Sequence, residues 1–192
     1  MVKLVQGVGI NDGKYPTTLN GISTKEYSLW TNMLGRCYSV KYHETRPTYV
    51  GCNVSDNFKH YSYFHEWCQN QIGFGGCDFS LDKDLIIKGN KIYSEDNCLF
   101  LPQSLNKLLT KRQLHRGGLP IGVTKNSNNY KVRCNVNGSE NYLGVFSTIE
   151  SAFQTYKAFK EAYIKELAEK YKDTIDPRAY LALMNYEVHI DD

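Results

Sequence analysis

Residues 81–106 read LDKDLIIKGNKIYSEDNCLFLPQSLN. Two aspartates, Asp82 and Asp84, flank Lys83. A Gly-Asn pair stands at 89–90, and Asn97 and Asn106 follow. The apolar runs FSLDKDLI (79–86) and CLFLP (98–102) read as strands joined by a turn at Gly89-Asn90. QSLNKLLTKRQ, from residue 103, reads as a helix. The expected order is strand, turn, strand, helix. By itself the stretch is either an ordinary hairpin or the scaffold of a metal-dependent site.

Upstream, residues 1–22 are rich in Gly, Asn, Pro and Thr and read as an extended arm. A helix is expected from Ser23 or Thr24, either of which can cap it, with Glu26 in the first turn. Tyr27, Trp30, Met33 and Leu34 recur at helical spacing. The polar loop that follows runs to Pro47, and TYVGCNVSDNF suggests a short strand and turn. FKHYSYFHEWCQNQ (58–71) reads as a second helix with Phe58, Tyr61, Phe64, Trp67 and Cys68 on one face, ended by the glycines of GFGGC.

Downstream, RQLHRGGLP has the composition of a linker. IGVTKNSNNYKVRCNVNGSENYLGVF then holds three strand-like runs with turns at 126–129 and at Asn137-Gly138. Tyr130, Val132, Cys134 and Val136 alternate with Lys131, Arg133 and Asn135, as in a strand with one buried and one wet face. A long amphipathic helix follows, with Ser147 and Glu150 expected as a capping box. Ala152, Phe153, Tyr156, Phe159, Tyr163, Ile164, Leu167 and Tyr171 fall on its apolar face. That face is expected to cover one side of the sheet and leave the side with Lys131 and Arg133 open. A short helix and a final strand or tail close the chain. The expected class is therefore α+β, divided into an arm (1–22), a domain at 23–112, a linker (113–117), a second domain at 118–176 and a tail (177–192).

Net charge is only +3, but it is unevenly placed. No acidic residue lies between Asp96 and Glu140, an interval holding Lys107, Lys111, Arg112, Arg116, Lys125, Lys131 and Arg133. A basic block in a mildly acidic remainder is the footprint of a polyanion-binding surface; the plainer reading is a solvated linker. The six cysteines form no CxxC pair, so reduced thiols are expected rather than a zinc site. The opening residues lack a signal-peptide run, and no stretch approaches the roughly 20 apolar residues of a membrane span. A cytoplasmic protein with no membrane partner is the expectation.

Two resemblances add to this reading. Tyr27, Trp30, Met33, Arg36, Cys37 and Tyr38, then Tyr61, Phe64 and Trp67, then Leu81, Asp82, Asp84, Gly89, Asn90, Tyr93, Ser94, Asn97, Cys98 and Asn106 follow in order a pattern that resembles the HNH endonucleases of phage genomes. Gly122, Val123, Tyr130, Val132, Leu143, Gly144, Phe146, Thr148, Glu150, Ala152 and Tyr156 resemble the Apetala-two DNA-binding domain of plant transcription factors and phage homing endonucleases. The first resemblance implies a ββα-metal fold. There Asp82 and Asn106 would bind Mg2+ or Mn2+, Asn97 would be the middle Asn, and Lys83 would stand where a His base is expected. The second implies a three-stranded sheet docked on double-stranded DNA, and a phage-encoded chain would work in the host bacterial cytoplasm.

Lysine is a cation near neutrality, with a free pKa of about 10.4, and so a poor base. Lys83 would then clamp a phosphate or stabilise the leaving oxygen, with His60 or His65 the better histidines to supply a base. Plain readings stand beside these. Asp82 and Asp84 are also what a strand end carries, Asn97 suits a turn, Asn106 a helix face, and Arg36 either an aromatic contact or a phosphate. The residues expected on DNA are Arg36, Lys111, Arg112, Arg116, Lys125, Tyr130, Lys131 and Arg133. Two functions follow: a metal-dependent endonuclease, or a non-cleaving DNA-binding regulator or inhibitor of a host system. RNA binding is a third, since Tyr and Arg on strand faces also suit bases. A host protein partner is not legible in the chain.

Overall fold

Helix α1 (Lys25–Tyr38) begins where the sequence offers a cap: Thr24 Oγ1 accepts the Tyr27 N–H at 3.3 Å. The buried residues of α1 are Trp30, Met33, Leu34 and Cys37, a single stripe. The computed structural model describes residues 4–110, 117–136 and 138–192, which divide into two units, one ending at Leu101 and one beginning at Pro102. The architecture is mixed α+β.

In the first unit, the hairpin β1 (Thr18–Leu19) and β2 (Ile22–Ser23) leads into α1, which is followed by the short helix α2 (Val40–Thr45). β3 (Asn53–Val54) and a 3-10 turn at Asn57–Lys59 precede α3 (Tyr61–Gln69). Helices α1 and α3 meet through rings: Tyr61 lies 5.2 Å from Tyr27, edge-on, and 5.4 Å from Trp30. Trp30 Nε1 donates to Phe58 O at 2.8 Å, so the indole is buried with its one donor satisfied. Residues 5–16 do not extend as a free arm. Val5, Val8 and Tyr15 pack on the core, Ile10 exchanges backbone hydrogen bonds with Lys59 and Tyr61, and Tyr15 stacks on His65 at 3.8 Å.

The segment 79–102 departs from a simple hairpin. β4 (Phe79–Asp82) pairs with β6 (Leu99–Pro102), but between them β5 (Ile92–Tyr93) leaves to pair in parallel with β3. The Gly89-Asn90 turn therefore joins β4 to a strand of a different sheet. A pairing so distant in sequence leaves no local mark.

The second unit takes in helix α4 (Gln103–Leu109), which the sequence reading placed in the first domain. β7 (Val123–Asn126), β8 (Asn129–Val136) and β9 (Ser139–Phe146) form an antiparallel sheet in that order. Helix α5 (Ile149–Tyr171) covers it, and Val123, Val132 and Cys134 meet Ala152, Phe153 and Tyr156 in the core. The cap of α5 is Thr148 rather than Ser147, with Thr148 Oγ1 accepting from Ser151 N at 3.2 Å. The apolar face buries Ala152, Phe153, Tyr156, Ile164 and Leu167 as expected, and departs from the expectation at its edge. Lys160 is only 4% exposed, its Nζ 5.5 Å from the Tyr156 ring centre, while Phe159 and Tyr163 are half-buried.

Helix α6 (Pro177–Met184) buries Ala179 and Leu183. No strand follows it; instead Val188 enters the core, donating its N–H to Glu161 while its carbonyl accepts from Lys157, both at 2.8 Å. Among the described residues, no helix is long and apolar enough to cross a membrane.

Candidate functional site

Asp82 ends β4 and turns the chain. Its Oδ1 accepts the N–H groups of Asp84 at 2.9 Å and Leu85 at 2.8 Å, a local side-chain turn that Asp favours. The next side chain, Lys83, points inward and is 6% exposed. Its Nζ donates to Asp84 Oδ1 and to Asn90 O at 2.7 Å, and lies 5.5 Å from the Tyr93 ring centre. Asn90 returns the contact, its Nδ2 donating to Lys83 O and Ile92 O, each at 2.7 Å. Lys83 and Asn90 thus clamp the two ends of the connecting loop. Two of the three N–H donors of Lys83 are therefore taken within the loop itself.

Burial pushes the Asp82 carboxyl above the ordinary aspartate range, against the Leu85 and Asp84 N–H groups that favour its charged form. A carboxyl raised in the folded state contributes stability that is present at low pH and lost as pH rises through its folded pKa. Asp82→Asn keeps an acceptor for the turn and removes the titration. Urea midpoints of this variant relative to the native protein should therefore rise as pH is taken from acid to neutral. A difference that stays constant with pH would exclude this cost of burial.

Asn97 sits in the turn after Ser94, its N–H donating to Ser94 O at 3.3 Å. Asn106 lies on α4, in the second unit, where its carbonyl accepts from Thr110 Oγ1 at 3.1 Å. Asp82 and Asn97 belong to the first unit, so neither unit holds the expected three-residue set by itself. Among the described residues, neither His60 nor His65 shows a hydrogen bond to the 82–97 segment. His65 stacks on Tyr15, with Nε2 3.9 Å from Glu26 Oε1, and His60 is exposed at the start of α3.

For a divalent cation, the first unit offers the half-buried carboxylate of Asp82. Asp84 is paired with Lys83. Among the described residues no three His, Cys, Asp or Glu gather as a metal cage. Asp82 fits a magnesium-type ion only if phosphate and water complete the shell, which is how such ions are commonly held. Five cysteines are buried and Cys77 is exposed. Burial raises the thiol of Cys37, which is pushed up to about 12 even with Lys83 and Arg36 nearby.

The sheet of the second unit has a covered and an open face. The register pairs Val123 with Val132 on the covered side and Thr124 with Lys131 on the other. Arg133 pairs with Tyr142 on the open side, past a bulge that sets Gly144 at φ +130°, a region that favours glycine. Tyr142 is 61% exposed, and Lys131 Nζ lies 5.6 Å from its ring centre. Arg133 Nη1 binds Glu140 Oε2 at 2.6 Å.

Lys125 and Tyr130 are partners in register and share the parity of Val123 and Val132. Lys125 Nζ is 3.3 Å from Tyr130 Oη, and Tyr130 is partly buried against the core. Those two residues therefore edge the covered face. Lys111, Arg112 and Arg116 lie outside the described residues. Arg36, in the last turn of α1, is half-buried among tyrosines.

Sequence reasoning missed Asn90 as the partner of Lys83 and Tyr142 as the aromatic of the open face. The alternation in β9 would have shown Tyr142 but for the bulge, which shifts its phase by one residue. Comparison with models of known protein families, with curated proteins and with solved structures found no match.

Proposed function

We propose that this chain binds double-stranded DNA through the open face of the β7–β8–β9 sheet. The observation that carries the reading is that face: Lys131 and Arg133 project beside the exposed ring of Tyr142. Cations of this kind neutralise phosphates and release counterions. Asn129 and Asn135, which share the parity of Lys131 on β8, add amides able to meet base edges, and the major groove is wide enough for a β-ribbon. Arg133 exchanges Glu140 for a phosphate on binding. The test is anisotropy of a labelled duplex across a salt series. A log–log slope of about −0.9 per phosphate contacted is expected. A flat dependence would remove the reading, and equal competition by duplex RNA would redirect it.

The second reading is metal-dependent phosphodiester cleavage at the 82–97 segment, favoured by the half-buried carboxyl of Asp82. With Mg2+ or Mn2+ bound, Asp82 would be the first unit's ligand, and the ion would supply charge neutralisation at the scissile phosphate. Lys83 counts against this reading, because its ammonium is held by Asp84 and Asn90. A DNA-binding protein without cleavage, acting as a regulator or an inhibitor of a host system, therefore fits better. Supercoiled plasmid incubated with Mg2+ or Mn2+ should stay intact. Nicking by the native protein that disappears in Asp82→Asn would establish the enzyme instead.

A further inference from the structure

Arg36 leaves the last turn of α1 and enters a group of phenols. Its Nη1 donates to Tyr93 Oη at 3.5 Å, the long limit of a hydrogen bond, and its Cζ lies 5.7 Å from the Tyr49 ring centre. Tyr42 meets Tyr49 edge-on at 5.6 Å. Among the described residues no carboxylate pairs with Arg36, and its remaining interactions are with neutral rings. A guanidinium carries five N–H donors, and among the described residues one of them meets a protein acceptor, leaving the others to solvent or a ligand. Half-buried cations are ordinarily paired.

The phenol of Tyr93 points the same way. Tyr93 is 2% exposed, and its oxygen accepts from Arg36, while among the described residues its O–H hydrogen meets no acceptor. Burial raises its pKa, so the group remains a neutral donor. Two more cations border the cluster. Lys83 stands over the Tyr93 ring. Lys91 Nζ donates to the carbonyls of Thr48 at 2.6 Å and Val50 at 3.4 Å, on either side of Tyr49. Asp84, bound to Lys83, is the one carboxylate paired with any of these three cations among the described residues.

Guanidinium N–H donors with no protein acceptor, a buried O–H without an acceptor and an excess of positive charge share one complement: a compact anion with several oxygens. We infer that Arg36 and Tyr93 form a seat for a single phosphate group, with Tyr49 as its aromatic wall. The fork of a guanidinium matches the spacing of phosphate oxygens, and a neutral phenol adds a donor with no competing negative charge. The source is either a backbone phosphodiester of nucleic acid or a free phosphate or nucleotide. The inference concerns the first unit alone and stands whether or not the sheet binds DNA.

The experiment uses the full chain and its Arg36→Met, Arg36→Lys and Tyr93→Phe variants. Each is titrated with inorganic phosphate and with a short DNA duplex while the Arg36 side-chain N–H resonance and the duplex affinity are read. The expected result is a phosphate-dependent shift of that resonance. Duplex affinity should fall about tenfold in Arg36→Met, as for a lost charged hydrogen bond. The salt slope should flatten by about 0.9. Arg36→Lys should restore the slope but not the affinity. Tyr93→Phe should weaken binding with the slope unchanged.

A shift with inorganic phosphate alone, with duplex affinity untouched, keeps the seat and assigns it to a free phosphate or nucleotide. No shift with either probe, and variants that bind duplex as the native protein does, would overturn the seat. If Arg36→Met fails to fold, Tyr93→Phe, which keeps the ring, decides with the native resonance.

Discussion

Replacing Lys131 and Arg133 together with Ala is expected to weaken duplex binding by one to two orders of magnitude and to flatten the salt slope by about 1.8, or about 0.9 for each phosphate contact removed. Both side chains lie on the open face of the sheet, so truncation leaves the Val123, Val132 and Cys134 core untouched and stability close to native. The two contributions are not equal. The Lys131 ammonium lies against the exposed ring of Tyr142 and among the described residues pairs with no carboxylate, whereas Arg133 is held by Glu140 at 2.6 Å.

Both members of the Arg133–Glu140 pair are well exposed, so solvent screens the pair and little is lost on exchanging the carboxylate for phosphate. Glu140→Gln should accordingly raise affinity, since it removes both the competitor and a charge repelled by DNA. Anisotropy titrations at several salt concentrations read all three proteins. A double variant with native slope would place the contact surface elsewhere, and a weaker Glu140→Gln protein would show that Arg133 needs its partner for position.

Gly122→Ala is expected to cost the second unit about 3 kcal/mol, combining backbone strain with overpacking. Gly122 has φ +77°, and a Cβ there would lie 2.0 Å from Tyr156 Cδ2 and 2.2 Å from Cε2. The ring cannot retreat easily, because Tyr156 is 4% exposed within the sheet–helix core. The backbone is also pinned, since the Gly122 carbonyl accepts from Arg133 N at 2.9 Å. A movement of Gly122 would therefore carry the strand that presents Lys131 and Arg133.

The variant should melt more than about 10 °C lower in a transition followed by circular dichroism, given the usual few degrees per kcal/mol for a unit of this size. Circular dichroism suits the purpose because Trp30 and Trp67 both lie in the first unit and their fluorescence does not report on the sheet. An unchanged transition would mean that Tyr156 moves aside at little cost. Gly122→Ala combined with Tyr156→Ala should cost less than the sum of the two single variants, which would identify the ring as the obstacle; an additive cost would place the obstacle elsewhere.

Much of this architecture could be read from order and spacing alone. The Tyr27–Leu34 stripe predicted α1 and its buried face, and Thr24 was among its expected caps. The alternation from Tyr130 to Val136 predicted β8 with Lys131 and Arg133 outward, because a strand's period of two is a local property. The mixed α+β class follows from those same periodicities, and the long interval without acidic residues spans β7 and β8.

What tertiary structure decided is the partner of each polar group, and with it the chemistry. Lys83 is the clearest case. Asp82 and Asp84 suit the charged end of a strand, whereas the fold buries Lys83 between them against Asn90 and Tyr93 and ties it into the connecting loop. Arg36 and Tyr93 stand 57 positions apart and meet only because β5 leaves its neighbours to pair with β3. Side-chain periodicity is set within a few residues by backbone geometry, so it is written along the chain. Pairing between distant charges, rings and carbonyls is set by how separate elements close on one another, and no spacing in the sequence records it.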